Sequence, residues 1–180
     1  MMINLVLLIL IVICLVFISC IAPPDSPWAP WWQIPDERIR VMCTLGKIDK
    51  QSLIYDLGSG TGCALCIAAK EFHAKGVGIE IDPLRVWISK WNVKRFGVSD
   101  NVTILQKNFF HVDLSPATVL FIYLIPPALI RLANKFVHEL KPGTILISYK
   151  YEIPVSFFSG RLTLIKEDQK NELYVYKVKK

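Results

Sequence analysis

The chain has 180 residues, a formal net charge of +6, and 53% apolar residues, a figure inflated by its first stretch. Five cysteines, an odd number with Cys14 and Cys20 inside that stretch, argue against a disulfide framework. The basic excess suits a membrane surface, nucleic acid or an acidic partner and does not choose among them.

Residues Ile3 to Ala22 are almost wholly apolar. At 1.5 Å per residue this run reaches about 30 Å, the thickness of a hydrocarbon core. The expectation is a single transmembrane anchor over residues 1–22. A signal peptide is the rival reading. No Lys or Arg precedes the run, and it is longer than a usual signal core. Phe17-Ile18-Ser19-Cys20 only loosely matches a lipoprotein cleavage site. Arg38 and Arg40, the first basic residues, follow the run and place the rest of the chain on the cytoplasmic side.

Residues 23–35 form a linker with five prolines and the tryptophans Trp28, Trp31 and Trp32. Prolines make it stiff, and the indoles suit either the headgroup level of a bilayer or packing on the domain. The domain itself is expected over 36–180, about 145 residues, enough for one sizeable core. Asp36 is placed to cap a helix running to Leu45, with Gly46 ending it.

Leu53 to Leu57 reads as a buried parallel strand. The turn Gly58-Ser59-Gly60-Thr61-Gly62 follows, and Cys63 to Phe72 has helical composition. Strand, glycine turn and helix is the geometry in which a nucleotide-like ligand lies against backbone N–H groups. Cys63 and Cys66 form a C-x-x-C, read as small helical residues rather than a metal or redox pair. The strand from Gly76 to Asp82 ends in acid, and Glu80 stands where a carboxylate takes both hydroxyls of a ribose.

A pyrophosphate site shows G-x-G-x-x-G; here the spacing is G-x-G-x-G, with Asp56 two residues ahead of the first glycine. A carboxylate there repels phosphate and suits a cationic ligand. S-adenosylmethionine carries a sulfonium and an ammonium and no phosphate, so electrostatics favour it over NAD.

Asp82-Pro83 starts a helix to Phe96, stopped by Gly97. Trp87 and Trp91, four apart on one face, are read as core. Val102 to Gln106 is the third strand, and Asn108 and Phe109 lie at its carboxyl end, where ligands bind in open α/β sheets. Asn108 suits either an adenine edge or a turn. Ala117 to Ile125 is the fourth strand with Tyr123 near its end, Pro126 to Leu140 a helix, and Thr144 to Ser148 the fifth strand. Arg161 to Ile165 and Leu173 to Val178 form a closing hairpin. The fold class is α/β: a Rossmann-like, doubly wound sheet of seven strands, the last antiparallel.

The segments YDLGSGTG, GVGIEID, KNFFHVDLSPATVLFIYLIP and LKPGT resemble the class I, seven-strand methyltransferases. Within these the chain is similar to the small protein-lysine methyltransferases, an archaeal broad-specificity enzyme and the membrane-anchored mitochondrial ones. The pattern from Asn108 to Val119 is the best marker. The resemblance implies that Asp56, Gly58, Ser59 and Gly60 hold the amino-acid part of S-adenosylmethionine. Glu80 would hold the ribose, with Ile81, Asn108 and Phe109 around the adenine. Tyr123 would face the substrate lysine. The family's Y-V-P-T-P stretch is replaced by Trp31-Trp32-Gln33-Ile34-Pro35, with Ile34 at the hydroxyl-bearing position.

The function expected is therefore a membrane-anchored methyltransferase acting, as a monomer, on lysines of a membrane-associated protein. A lysine must lose its proton before it attacks. No dedicated base is evident; Tyr123 is a candidate for orienting the amine and Asp113 a second one. Two rivals stand beside this reading. One is a methyltransferase for RNA, a lipid or quinone, or a small molecule, although Leu124-Ile125-Pro126-Pro127 lacks the polar lead of the D/N-P-P-Y/F motif of nucleobase N-methylation. The other is a non-catalytic cofactor-binding module.

Overall fold

The computed structural model describes residues 2–21 and 32–180. Helix α1 is Met2–Ile21, α2 Asp36–Leu45, α3 Cys63–Phe72, α4 Pro83–Phe96 and α5 Pro126–Glu139. The strands are β1 Leu53–Leu57, β2 Lys75–Glu80, β3 Val102–Gln106, β4 Val119–Ile122, β5 Ile145–Tyr149, β6 Leu162–Asp168 and β7 Leu173–Val178. They form one sheet in the order β3-β2-β1-β4-β5-β7-β6. The pairs from β3 to β5 are parallel, and β7 runs antiparallel to both β5 and β6. This is the expected doubly wound sheet with an antiparallel last strand.

Alternation along the central strands builds two cores. Ile54, Val119, Phe121 and Ile147 face the layer made by α2, α3 and α4. Tyr55, Leu57, Leu120, Ile122 and Leu146 face α5, whose Ala128, Leu129, Leu132 and Phe136 are buried against them. The strands are apolar on both faces because helices cover both.

Several local expectations are corrected. Asp36 does not cap α2: Pro35 holds the cap position and Asp36 opens the first turn, where its charge still meets the positive end of the helix dipole. Asp82 does cap α4, accepting from the Arg85 N–H at 3.0 Å, with Pro83 in the first turn. The fourth strand is shorter than its apolar run: β4 stops at Ile122, level with Leu57 of β1, so Tyr123 leaves the sheet with Gly58. Trp87 and Trp91 are not core; they are 66% and 52% exposed, and α4 instead buries Val86, Ser89, Asn92 and Val93. The helix packs through the small and polar side, which leaves the large apolar rings outside.

Helix α1 contains no charged residue, and its described side chains, Leu5 to Ile18, are all exposed. Among the described residues no helix is long and apolar enough to cross a membrane. The described side chains of α1 cover only about 21 Å of helix, short of a ~30 Å hydrocarbon core. The structure therefore does not itself carry the transmembrane span expected over residues 1–22. Of the expected linker, Trp28 and Trp31 lie outside the described residues; Trp32 is described and exposed.

Candidate functional site

The order of strands reverses at β1, whose neighbours are β2 on one side and β4 on the other. In open α/β sheets a ligand crevice forms at such a switch point, outside the carboxyl ends of the strands. Register sets what meets there. Leu57 pairs with Ile79 and with Ile122, so Gly58, Glu80 and Tyr123 emerge side by side. Glu80 pairs with Gln106, which brings Asn108 and Phe109 to the same end. The result is a cleft of about 840 Å³, counting its open mouth.

The glycine loop forms the floor of this cleft. Gly58, Gly60 and Gly62 all take positive φ (82°, 53° and 73°), a region that side chains resist. The loop is tied to β2 from two sides: the Gly58 and Ser59 nitrogens donate to the Ile79 carbonyl at 2.9 and 3.0 Å, and the Gly60 nitrogen donates to Glu80 Oε2 at 2.8 Å. Glu80 Oε1 accepts from the Ile81 and Asp82 nitrogens at 2.8 and 3.0 Å. Three backbone donors thus fix a buried carboxylate. Opposite Asp56, β2 carries Gly78, where a Cβ would come within 2.7 Å of the Ser59 hydroxyl and of Ile104. The hydroxyl of Ser59 is buried without a protein partner, and it lines the cleft.

The cleft's charge is set by Asp56 and Glu80, with Arg85 on one side. Burial first, and then the neighbouring Glu80, pushes the Asp56 carboxyl up from 3.8 to about 7. Two carboxylates this close disfavour each other's charge. A phosphate placed between them would make that worse, and a cation would relieve it. A bare-backbone loop, an orphaned buried hydroxyl and this cationic demand all fit S-adenosylmethionine.

Residues 56–156 match the family model described as the ANTKMT methyltransferase domain. The chain belongs to this methyltransferase family. It is 37% identical over 128 residues to a protein-lysine N-methyltransferase of Saccharolobus islandicus, covering 71% of this chain and 80% of that protein. It is 29% identical over 106 residues to an ATP synthase lysine N-methyltransferase of Xenopus laevis, spanning 58% of this chain but only 46% of that relative. A solved structure described as an RNA methyltransferase from Salinibacter ruber, in complex with S-adenosyl-L-homocysteine, superposes with a TM-score of 0.76 at 32% identity. It covers 83% of this chain and 95% of that one. The protein is an S-adenosylmethionine-dependent methyltransferase.

Nine of the residues singled out in the sequence line the cleft of this methyltransferase: Asp56, Gly58, Ser59, Gly60, Glu80, Ile81, Asn108, Phe109 and Tyr123. The two readings of Asn108 coexist. Its Oδ1 accepts from the Phe110 nitrogen at 3.0 Å and caps a short 3-10 turn, which leaves the amide nitrogen as the group for an adenine edge. Asp113 is the exception. It is exposed, outside the cleft, and its carboxylate accepts from the Ser115 nitrogen and hydroxyl, both at 2.9 Å. Those hydrogen bonds hold it below the usual carboxylate range, so it closes a turn and is no base for the reaction.

Tyr123 stands at the cleft wall with its ring edge-on to Tyr149, centroids 4.8 Å apart, and stacked with Tyr151 at 6.4 Å. Burial pushes its phenol above the ordinary value, so at neutral pH it keeps its proton and serves as a hydrogen-bonding partner. Sequence reasoning missed Arg85, Cys63 and Ile39 of the lining. Arg85 is readable afterwards as the cation three residues after the cap Asp82; Ile39 follows only from the packing of α2 on the sheet. Trp32, Gln33 and Ile34 line the mouth, which puts the stretch that departs from the family pattern at the entrance.

Proposed function

We propose that the chain is a protein-lysine N-methyltransferase, held at a membrane by α1 with its domain on the cytoplasmic side and acting on a membrane-associated protein. The similarity to the archaeal lysine methyltransferase, across most of both chains, carries the choice of acceptor. Exposed apolar side chains along all of the described part of α1 support the membrane placement, since a surface of that kind is stable only when covered. The apolar run continues to Ala22, and the first cations, Arg38 and Arg40, follow it.

Once bound, S-adenosylmethionine supplies a methyl on a positively charged sulfur, so the acceptor needs only to be neutral, aligned and shielded. Glu80 and the glycine loop fix the ribose and the amino-acid end, and Asp56 supplies the negative charge for the ammonium. A lysine has a free pKa of about 10.4 and must arrive or become neutral. The half-buried aromatic wall of Tyr123 and Tyr149 provides a low-dielectric lining that disfavours an ammonium. The Tyr123 hydroxyl, protonated, orients the amine, and the proton leaves to solvent.

Membranes bearing the full chain, given methyl-labelled S-adenosylmethionine, should place label on lysines of membrane proteins. Label confined to lipid would reject this acceptor. RNA is the second reading, favoured by the activity ascribed to the Salinibacter relative and by the net charge of +6. Label in RNA that survives protease digestion would select it.

A further inference from the structure

Helix α4 has two unlike sides. Its inner side braces the cofactor loop: Asn92 Nδ2 donates to the Thr61 carbonyl at 2.9 Å, and Ser89 packs into the space that only a glycine at position 62 leaves open. Its outer side carries Trp87, Lys90, Trp91, Lys94 and Arg95, all exposed. Spacings of three and four put these on one stripe. No acidic residue occurs in the helix, and the acid ahead of it, Asp82, is buried as its cap. The Arg95 guanidinium lies 5.2 Å from the Trp91 ring centre.

Two indoles half or more exposed beside three cations do not suit plain water. Indole rings concentrate at the headgroup level of bilayers, and lysines and arginines near an anionic surface each add about 1 kcal/mol of attraction. Single-stranded nucleic acid also takes cations and aromatic rings, but it needs open ring faces for stacking, and Arg95 already covers one face of Trp91. The chain's own α1 brings an apolar helix to the same molecule, and α2, the first element after it, packs on α3 in the same layer as α4.

We propose that the outer face of α4 docks on an anionic lipid surface, with Trp87 and Trp91 at the headgroups and Lys90, Lys94 and Arg95 against the phosphates. This orients the domain, and through Asn92 and Ser89 the cofactor loop, relative to the bilayer. It extends the membrane placement above but stands on a different helix and is read out separately.

The test reconstitutes the full chain into vesicles of phosphatidylcholine alone or with added phosphatidylglycerol. Flotation reports α1; hydroxyl-radical footprinting with peptide mass spectrometry reports α4, because cleavage after Lys90 separates Trp87 from Trp91. Docking predicts that oxidation of both tryptophans falls severalfold on the anionic vesicles, recovers at high salt, and is restored in the K90E/K94E/R95E variant while flotation is kept. Equal oxidation on the two vesicle types overturns the proposal, whether or not the chain floats on neutral lipid. Protection by a single-stranded RNA oligonucleotide in detergent, with none on anionic vesicles, overturns it in favour of nucleic acid. Loss of flotation on neutral vesicles alone counts against α1, and the footprint on anionic vesicles still decides α4.

Discussion

Glu80 Oε2 accepts the Gly60 N–H at 2.8 Å, across 20 residues of chain. One carboxylate thereby ties the end of β2 to the loop after β1 and stands where the ribose of the cofactor belongs. Its other oxygen is held by the Ile81 and Asp82 nitrogens, so the group is oriented before any ligand arrives. Glu80→Gln keeps the shape but replaces one acceptor with an amide that points a donor at donors. Charge-assisted hydrogen bonds contribute about 1.5–3 kcal/mol each, so cofactor affinity should weaken roughly 10- to 100-fold by calorimetry. An unchanged Kd would remove Glu80 from the site.

Asp56 makes cofactor binding pH-dependent. Its carboxyl sits at about 7 in the free protein, raised first by burial and then by Glu80. A bound ammonium or sulfonium favours the ionised form, so binding expels a proton below that pH. Affinity should rise with pH up to about 7 and level off above it; Asp56→Asn should flatten the profile and weaken binding. Stability runs the other way. A folded pKa above the unfolded value stabilises at low pH, and that contribution is lost as pH rises toward about 7. Apo Asp56→Asn should therefore melt higher than the parent at pH 8, by an amount on the order of a few kcal/mol at most. A lower Tm at pH 8 would contradict the burial argument.

How much of this was legible beforehand depends on whether a residue's role is local. The glycine loop, Asp56 and Glu80 are fixed by chain-neighbour geometry, and their cleft positions match the sequence reading. The strand run ending at Ile125 misled because apolar residues continue past the sheet: Leu124 is buried, but against α5 rather than in a ladder. Trp87 and Trp91 misled because a spacing of four fixes which residues share a helix face but not whether that face is inner or outer. Ser89 and Asn92 took the inner side because the glycine loop needed small and polar neighbours there. Asp113 misled because a carboxylate in a family-like motif serves equally to close a turn.

Gly62 is needed twice over. Its φ of +73° disfavours any Cβ, and a Cβ built there would overlap Ser89 Oγ. Gly62→Ala should cost about 1–2 kcal/mol for the backbone and about 1–3 kcal/mol for overpacking, read as a lowered denaturation midpoint. Adding Ser89→Ala should recover the second part and leave the first. A double variant no more stable than the single would place the whole cost in the backbone.

Tyr123 and Asp113 should separate cleanly in kinetics. Tyr123 lines the cleft and keeps its proton because burial raises its phenol, so its hydroxyl acts on the acceptor and not on the cofactor. Tyr123→Phe should leave cofactor Kd unchanged while kcat falls, about 10- to 100-fold if the lost hydrogen bond matters only in the transition state. Because no proton is taken up by the tyrosine, the pH profile of kcat should keep its shape in that variant. Asp113 is exposed and occupied with Ser115, so Asp113→Asn should leave kcat, KM and cofactor affinity as they were. A collapse of kcat in Asp113→Asn with the fold intact would mean that the turn moves into the cleft during turnover, and would make this carboxylate a candidate base again.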